Sequence, residues 1–116
     1  MDEHREMKVT PDKYLTYRYA GASGDFNPIH LDEEFARSVG LPGKILHGLW
    51  TMAQCARAQG DGLNLRSLSV QFRGVGVPEE EITITSSGTG TVAIEAEQAG
   101  RKLVRRGEAV IAPRDG

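Results

Sequence analysis

What this chain lacks narrows what it can do. It has a single cysteine, Cys55, so no intrachain disulfide forms, which fits a reducing compartment. It lacks a charge excess: 14 basic and 16 acidic residues leave a formal net charge of −2. Nucleic-acid-binding chains usually carry a basic surplus, so no nucleic-acid partner is expected. It lacks a long apolar run. The longest uncharged apolar stretch, Ile45 to Ala56, includes a His and a Gln and is too short to span a bilayer, so no membrane partner is expected. The first residues, MDEHREMKV, do not resemble a signal peptide, and a cytoplasmic location is expected. Repeats and low-complexity segments are missing too. No G-x-G-x-x-G, P-loop or G-x-S-x-G pattern occurs, and the histidines do not have structural-zinc spacing, so no metal is expected.

What remains is 116 residues, 39% hydrophobic and 26% charged, enough for one domain spanning 1–116 with a thin core. Residues 1–8 are polar and expected to be loose. Thr10-Pro11 suits a helix start, Leu15, Tyr19 and Ala22 share a helical face, and Gly24 is placed to end it. A short helix is expected from about Asp32 to Val39. A largely buried helix is expected from about His47 to Ala58, with Leu46, Leu49, Trp50, Ala53 and Ala56 on its main apolar face. From Ser67 the pattern changes to period two, in runs around Leu68–Phe72, Ile82–Ile84, Val92–Ala96 and Leu103–Ile111. Turn signals at Gly74–Pro78, Thr89–Thr91 and Gln98–Lys102 separate them. Helices followed by a four-stranded antiparallel meander make an α+β plan.

The segment S-G-D-F-N-P-I-H, with H-G seventeen residues after its histidine, carries the chemistry. Asn27-Pro28 folds the chain between Asp25 and His30, so both side chains can reach one small volume. A carboxylate and an imidazole sharing a water form an acid–base pair. An Asp beside Asn-Pro is also ordinary turn chemistry, and spacing alone leaves both readings open. Gly48, opening a buried helix, lets a ligand approach the backbone, and its N–H suits an oxyanion; an ordinary helix-start glycine is the competing reading. Cys55, Trp50 and Met52 read as packing residues. Arg101-Lys102 and Arg105-Arg106 read as a solvated edge, with an anionic carrier or nucleotide phosphate as the alternative.

These residues resemble the MaoC-like, R-specific enoyl-CoA hydratase family. The runs YAGASGDFNPIHLDEEFA and GLPGKILHGLWTMA carry the resemblance, through Tyr19, Gly24, Asp25, Asn27, Pro28, Ile29, His30, Ala36 and His47-Gly48, joined by Gly107–Val110 near the end. It implies a hot-dog fold, an antiparallel sheet wrapped around a long central helix. It also implies reversible syn hydration of a trans-2-enoyl thioester to the (3R)-hydroxyacyl thioester. By the same resemblance Asp25 and His30 are the catalytic pair, Gly48 the oxyanion donor, and Asn27, His47 and Trp50 the substrate-binding residues. No cofactor is implied beyond the coenzyme A or acyl carrier protein that bears the substrate. The implied partner is a second copy joined edge to edge, or an unlike hot-dog subunit. The chain departs from the family pattern in a short N-terminus, where Met7–Thr10 would supply only a fragment of a strand, in an abbreviated hairpin near Thr89–Thr91, and at Ala56, where some members carry a hydroxyl. Two alternatives compete. One is a hot-dog module that binds acyl thioesters without catalysis or acts within a two-subunit dehydratase. The other is a hot-dog thioesterase, against which the D-x-N-P-x-H arrangement counts.

Overall fold

Burial alternates strictly in the second half of the chain, and that alternation builds the sheet. In β4 (Thr91–Gln98), Val92, Ile94, Ala96 and Gln98 are buried and their neighbours exposed. In β3 (Ile82–Ser87), Ile82, Ile84 and Ser86 face inward. A side-chain period of two makes each strand one-sided, so both present an apolar face to the same core. The computed structural model, which describes residues 4–60 and 63–113, adds β2 (Leu63–Phe72), β5 (Arg101–Pro113) and β1 (His4–Val9). All neighbouring pairs are antiparallel, in the order β1-β3-β4-β5-β2.

The helices all lie between β1 and β2 in the chain. They are α1 (Leu15–Ser23), α2 (Glu33–Ser38) and α3 (Gly48–Arg57), with a single 3-10 turn at Pro28–His30. From α3 and the segment before it, Leu46, Trp50 and Cys55 pack into one cluster with Ile82, Ile84, Val92, Ile94, Leu103 and Val104. Each large aliphatic side chain buried there contributes roughly 1.5–3 kcal/mol. An antiparallel sheet curled around one apolar helix is the hot-dog fold. Among the described residues no helix is long and apolar enough to cross a membrane.

The structure corrects the sequence expectations at the N-terminus. His4–Lys8 is not loose: it belongs to β1, an edge strand paired residue by residue with β3, from His4 opposite Ser87 to Val9 opposite Ile82. Residues 1–3 lie outside the described residues. The sheet therefore has five strands rather than four. The first helix starts at Leu15 and not at Pro11, because Asp12 ends the preceding segment. The Asp12 carboxylate accepts the Tyr14 N–H, and its carbonyl accepts the Leu15 N–H. Pro11 is buried, and its carbonyl accepts the Glu79 N–H.

A buried polar side chain shapes the wall near the site. Gln98 is 1% exposed. Its amide donates to the Val77 and Glu80 carbonyls and accepts the Val77 N–H, all at 2.8–2.9 Å. These bonds fix the loop after β2 and satisfy a polar group that would otherwise be costly to bury. The same loop offers the Gly76 carbonyl to the Leu46 N–H at 2.8 Å, just before α3.

Candidate active site

Local backbone chemistry presents Asp25. The helix α1 ends at Gly24, whose φ of 78° is the left-handed conformation that glycine adopts without strain. The chain then turns through short polar bonds. The Asp25 N–H donates to Ser23 Oγ, the Asn27 N–H to Asp25 Oδ1, and the Ile29 N–H to Asn27 Oδ1, each at 3.2 Å. Asn27 thus caps the 3-10 turn that carries His30 and shapes the loop. The Asp25 side chain stays half exposed while that of His30 is 9% exposed.

His30 is oriented by the segment before α3. Its Nδ1 lies 2.8 Å from the Ile45 carbonyl oxygen. A carbonyl only accepts, so Nδ1 carries the proton. The other nitrogen, Nε2, faces Asp25 Oδ2 at 3.7 Å. That distance exceeds a direct hydrogen bond and suits a small molecule shared between the two. Among the described residues Nε2 is left free of protein partners within hydrogen-bond distance, so it can accept a proton when the ring is neutral or donate one when the ring is doubly protonated.

His47 completes the cluster. It is 2% exposed. Its Nε2 lies 3.1 Å from the Asp25 carbonyl oxygen. Its ring stacks on His30 at 3.8 Å between centroids, 18° from parallel, and meets Tyr19 at 4.9 Å. Ligand-type atoms of Asp25, His30 and His47 fall within 4.8 Å of one another. The stack does not fit a metal-ligand set. An imidazole binds a metal in its own plane, and two nearly parallel planes do not converge on one ion.

Gly48 is the first residue of α3, so its N–H belongs to the amides that a helix leaves without an intrahelical acceptor. It shares with His30 the wall of a cavity of about 170 Å³, lined also by Ile45, Thr51, Phe72 and Leu103. A Cβ at position 48 would stand 3.3 Å from the Phe72 ring. Sequence reasoning missed Phe72 and Thr51 as wall residues, since nothing local marks a strand end as facing a helix start. A larger cavity of about 490 Å³ lies elsewhere, between Tyr14, Tyr17, Lys44, Val77 and Arg101, and has neither His30 nor Gly48 on its wall.

Of the expected site residues, the structure brings Asp25, His30 and His47 into one cluster and puts Gly48 beside His30. Trp50, expected on the substrate side, is 8% exposed and packs in the core, because α3 turns it toward the sheet. His47, also expected to contact substrate, is buried against His30 with Nε2 engaged by the Asp25 carbonyl. The basic residues near the end are partly paired: Arg101 with Glu80 at 3.3 Å and Lys102 with Glu95 at 3.0 Å.

Comparison with known proteins agrees with this architecture. The family model of the MaoC-like domain matches residues 1–109. The chain is 36% identical over 84 residues to the enoyl-CoA hydratase ChsH3 of Mycobacterium tuberculosis, a match covering 67% of this chain and 28% of that protein. The chain therefore spans under a third of that curated relative's length. Its fold superposes on R-hydratase PhaJ1 from Pseudomonas aeruginosa with a TM-score of 0.88 at 22% identity, covering 99% of this chain and 83% of that one. It also matches the ChsH1-ChsH2 complex of Mycobacterium tuberculosis, a two-component assembly, with a TM-score of 0.81 at 17% identity, covering 97% and 96% of the two chains. With the helix-wrapping sheet, the Asp25–His30 cluster and a model match running nearly end to end, the chain belongs to the MaoC-like domain family.

Proposed function

We propose that this chain hydrates trans-2-enoyl thioesters to (3R)-hydroxyacyl thioesters and catalyses the reverse dehydration. One observation carries the reading. Asp25 Oδ2 and His30 Nε2 face each other across 3.7 Å, beside a cavity whose wall also holds the first amide of α3. Support comes from relatives named as enoyl-CoA hydratases and from the family match.

In this reading a water sits beside the gap between the two side chains, within hydrogen-bond reach of both. The Asp25 carboxylate takes a proton from the water as its oxygen bonds carbon 3. His30, carrying protons on both nitrogens, gives its Nε2 proton to carbon 2 on the same face. The Gly48 N–H donates to the thioester oxygen, where negative charge gathers. Proton exchange between the acid and the base then restores both. General acid–base help is worth about 10²–10⁴-fold and a preorganised amide roughly 3–4 kcal/mol. Coenzyme A or acyl carrier protein carries the acyl group, and no further cofactor takes part.

A second reading, a half-site that needs an unlike subunit, is favoured by apolar surface around the cavity. Leu49 and Phe72 are 65% and 51% exposed.

The test is an assay of the purified chain on trans-2-enoyl-CoA substrates of increasing length, following loss of the conjugated absorbance and product chirality. The expected result is (3R)-hydroxyacyl-CoA. Asp25→Asn should lose about 10²–10⁴-fold in kcat while staying folded, since its side chain is half exposed. Near-full activity in Asp25→Asn would overturn the catalytic assignment. A folded, dimeric chain inert on every length would overturn the stand-alone hydratase.

A further inference from the structure

We propose that His47 is a positioning residue that acts in its neutral, Nε2-protonated form, fastening the Asp25 loop through the Asp25 carbonyl and backing the His30 ring by stacking. For its kinetic consequence this rests on the hydration reading above; the tautomer and the contacts do not.

Asp25 lies on an exposed turn, residues 24–28, built from bonds between near neighbours. Such bonds shape a turn without attaching it to the body of the protein. The bond from His47 Nε2 to the Asp25 carbonyl joins that turn to a buried residue 22 positions further on. It acts on the backbone of the same residue whose carboxylate faces His30. The geometry dictates the proton's place: a carbonyl oxygen accepts only, so His47 Nε2 must donate. The His30 contact dictates the opposite tautomer for its neighbour, with the proton on Nδ1.

The stack has a second consequence. The His47 ring lies 3.8 Å from the His30 ring and nearly parallel to it. A neutral ring there holds the imidazole plane, and with it the direction of Nε2, while leaving His30 free to take the positive charge that its acid role requires. A doubly protonated His47 would oppose that charge at contact distance. His47 also precedes Gly48 directly, in an extended conformation (φ −67°, ψ 133°) that starts α3. One buried side chain therefore sets the relative places of the carboxylate, the imidazole and the first helix amide. His47 touches no reacting atom in this arrangement.

Two substitutions separate its two contacts. His47→Gln places an amide N–H near the position of Nε2 and removes the ring. His47→Phe keeps a ring for stacking and removes the donor. With the hydratase assay, His47→Phe should lower kcat about 10²-fold, the scale expected when a catalytic group is misplaced by about 1 Å, with KM changed less than about threefold. His47→Gln should recover at least a tenth of the wild-type kcat. A substrate-contacting His47 would instead raise KM in both variants, and that outcome overturns the proposal, as does an unchanged kcat in His47→Phe.

The independent measurement is ¹⁵N NMR of the imidazole nitrogens in the wild-type chain near neutral pH. The proposal expects His47 protonated on Nε2 alone, and His30 nitrogen shifts that move in His47→Phe. A His47 protonated on Nδ1 or on both nitrogens overturns it, whether or not either variant folds. If the chain hydrates no enoyl thioester, the functional reading fails alone and the NMR result still decides the role of His47.

Discussion

Cys55 has the groups for chemistry and none of the access. It is fully buried in the core beside Trp50, and burial pushes its thiol up to about 11. A thiolate is the reactive form, so the native thiol is inert near neutral pH. Its folded pKa lies above the unfolded one, so its contribution to stability is intact below about pH 9. It is lost as pH rises toward about 11, where the unfolded thiol ionises first. At about 1.4 kcal/mol per unit, the loss is on the order of 2–3 kcal/mol. Urea unfolding from pH 8 to 11 should show the gap between the wild type and Cys55→Ala narrowing across that window. A constant gap would sink the idea. The proximity of Asp25 and His30 was legible at this same scale because Asp25, Asn27 and His30 sit within six residues and interact through one turn. The partner of His47 was not legible, since nothing in H-G reports a carbonyl 22 residues earlier.

At the scale of elements, end signals were legible where a side chain caps the backbone locally. Asp32 accepts the Phe35 N–H at 3.0 Å as the N-cap of α2, directly after the turn that carries His30. Asp32→Ala should cost about 1 kcal/mol and Asp32→Asn much less, read as shifts in the urea midpoint at constant slope. Equal losses in both would point to charge rather than capping. Thr10-Pro11 misled because the chain first makes a turn at Asp12, whose carboxylate accepts the Tyr14 N–H, and the helix starts only at Leu15. The strand β1 was missed because H-R-E-M-K-V looks polar by composition. Its alternation places Arg5, Met7 and Val9 half-buried, and the Arg5 guanidinium donates to the Gln59 carbonyl at 2.6 Å. The irregularity in β5 was also invisible. Arg106 takes a φ of 52°, and a Cβ on Gly107 would stand 2.7 Å from the Ile94 carbonyl oxygen, so β4 and β5 approach closely only over a glycine. Pattern reveals strands; their bulges follow from contacts across the sheet.

At the scale of the whole molecule, the chain is too extended for its size. Its radius of gyration is 15.1 Å, with principal extents of 49 × 29 × 20 Å, where a globule of this length would have about 13 Å. Sheets that leave edges open manage them with charge, cover or a partner. The outer strand β2 runs ten residues, with Leu65 on it and Val110 on neighbouring β5 42% and 36% exposed. The surface beside the cavity adds Leu49 and Phe72. A thin core with apolar surface along one edge and around one mouth is the arrangement of a subunit. Sedimentation should therefore give a dimer of the 12.6 kDa chain, with the pair Leu65→Lys and Val110→Lys shifting it to monomer. If the second copy shields the mouth of the proposed site, enoyl turnover should fall in step with dimer content, while Asp25→Asn should stay dimeric and lose turnover alone. A wild-type chain that sediments as a folded monomer would remove the homodimer. Catalysis gained on adding an unlike hot-dog subunit would then place this chain in a two-component enzyme.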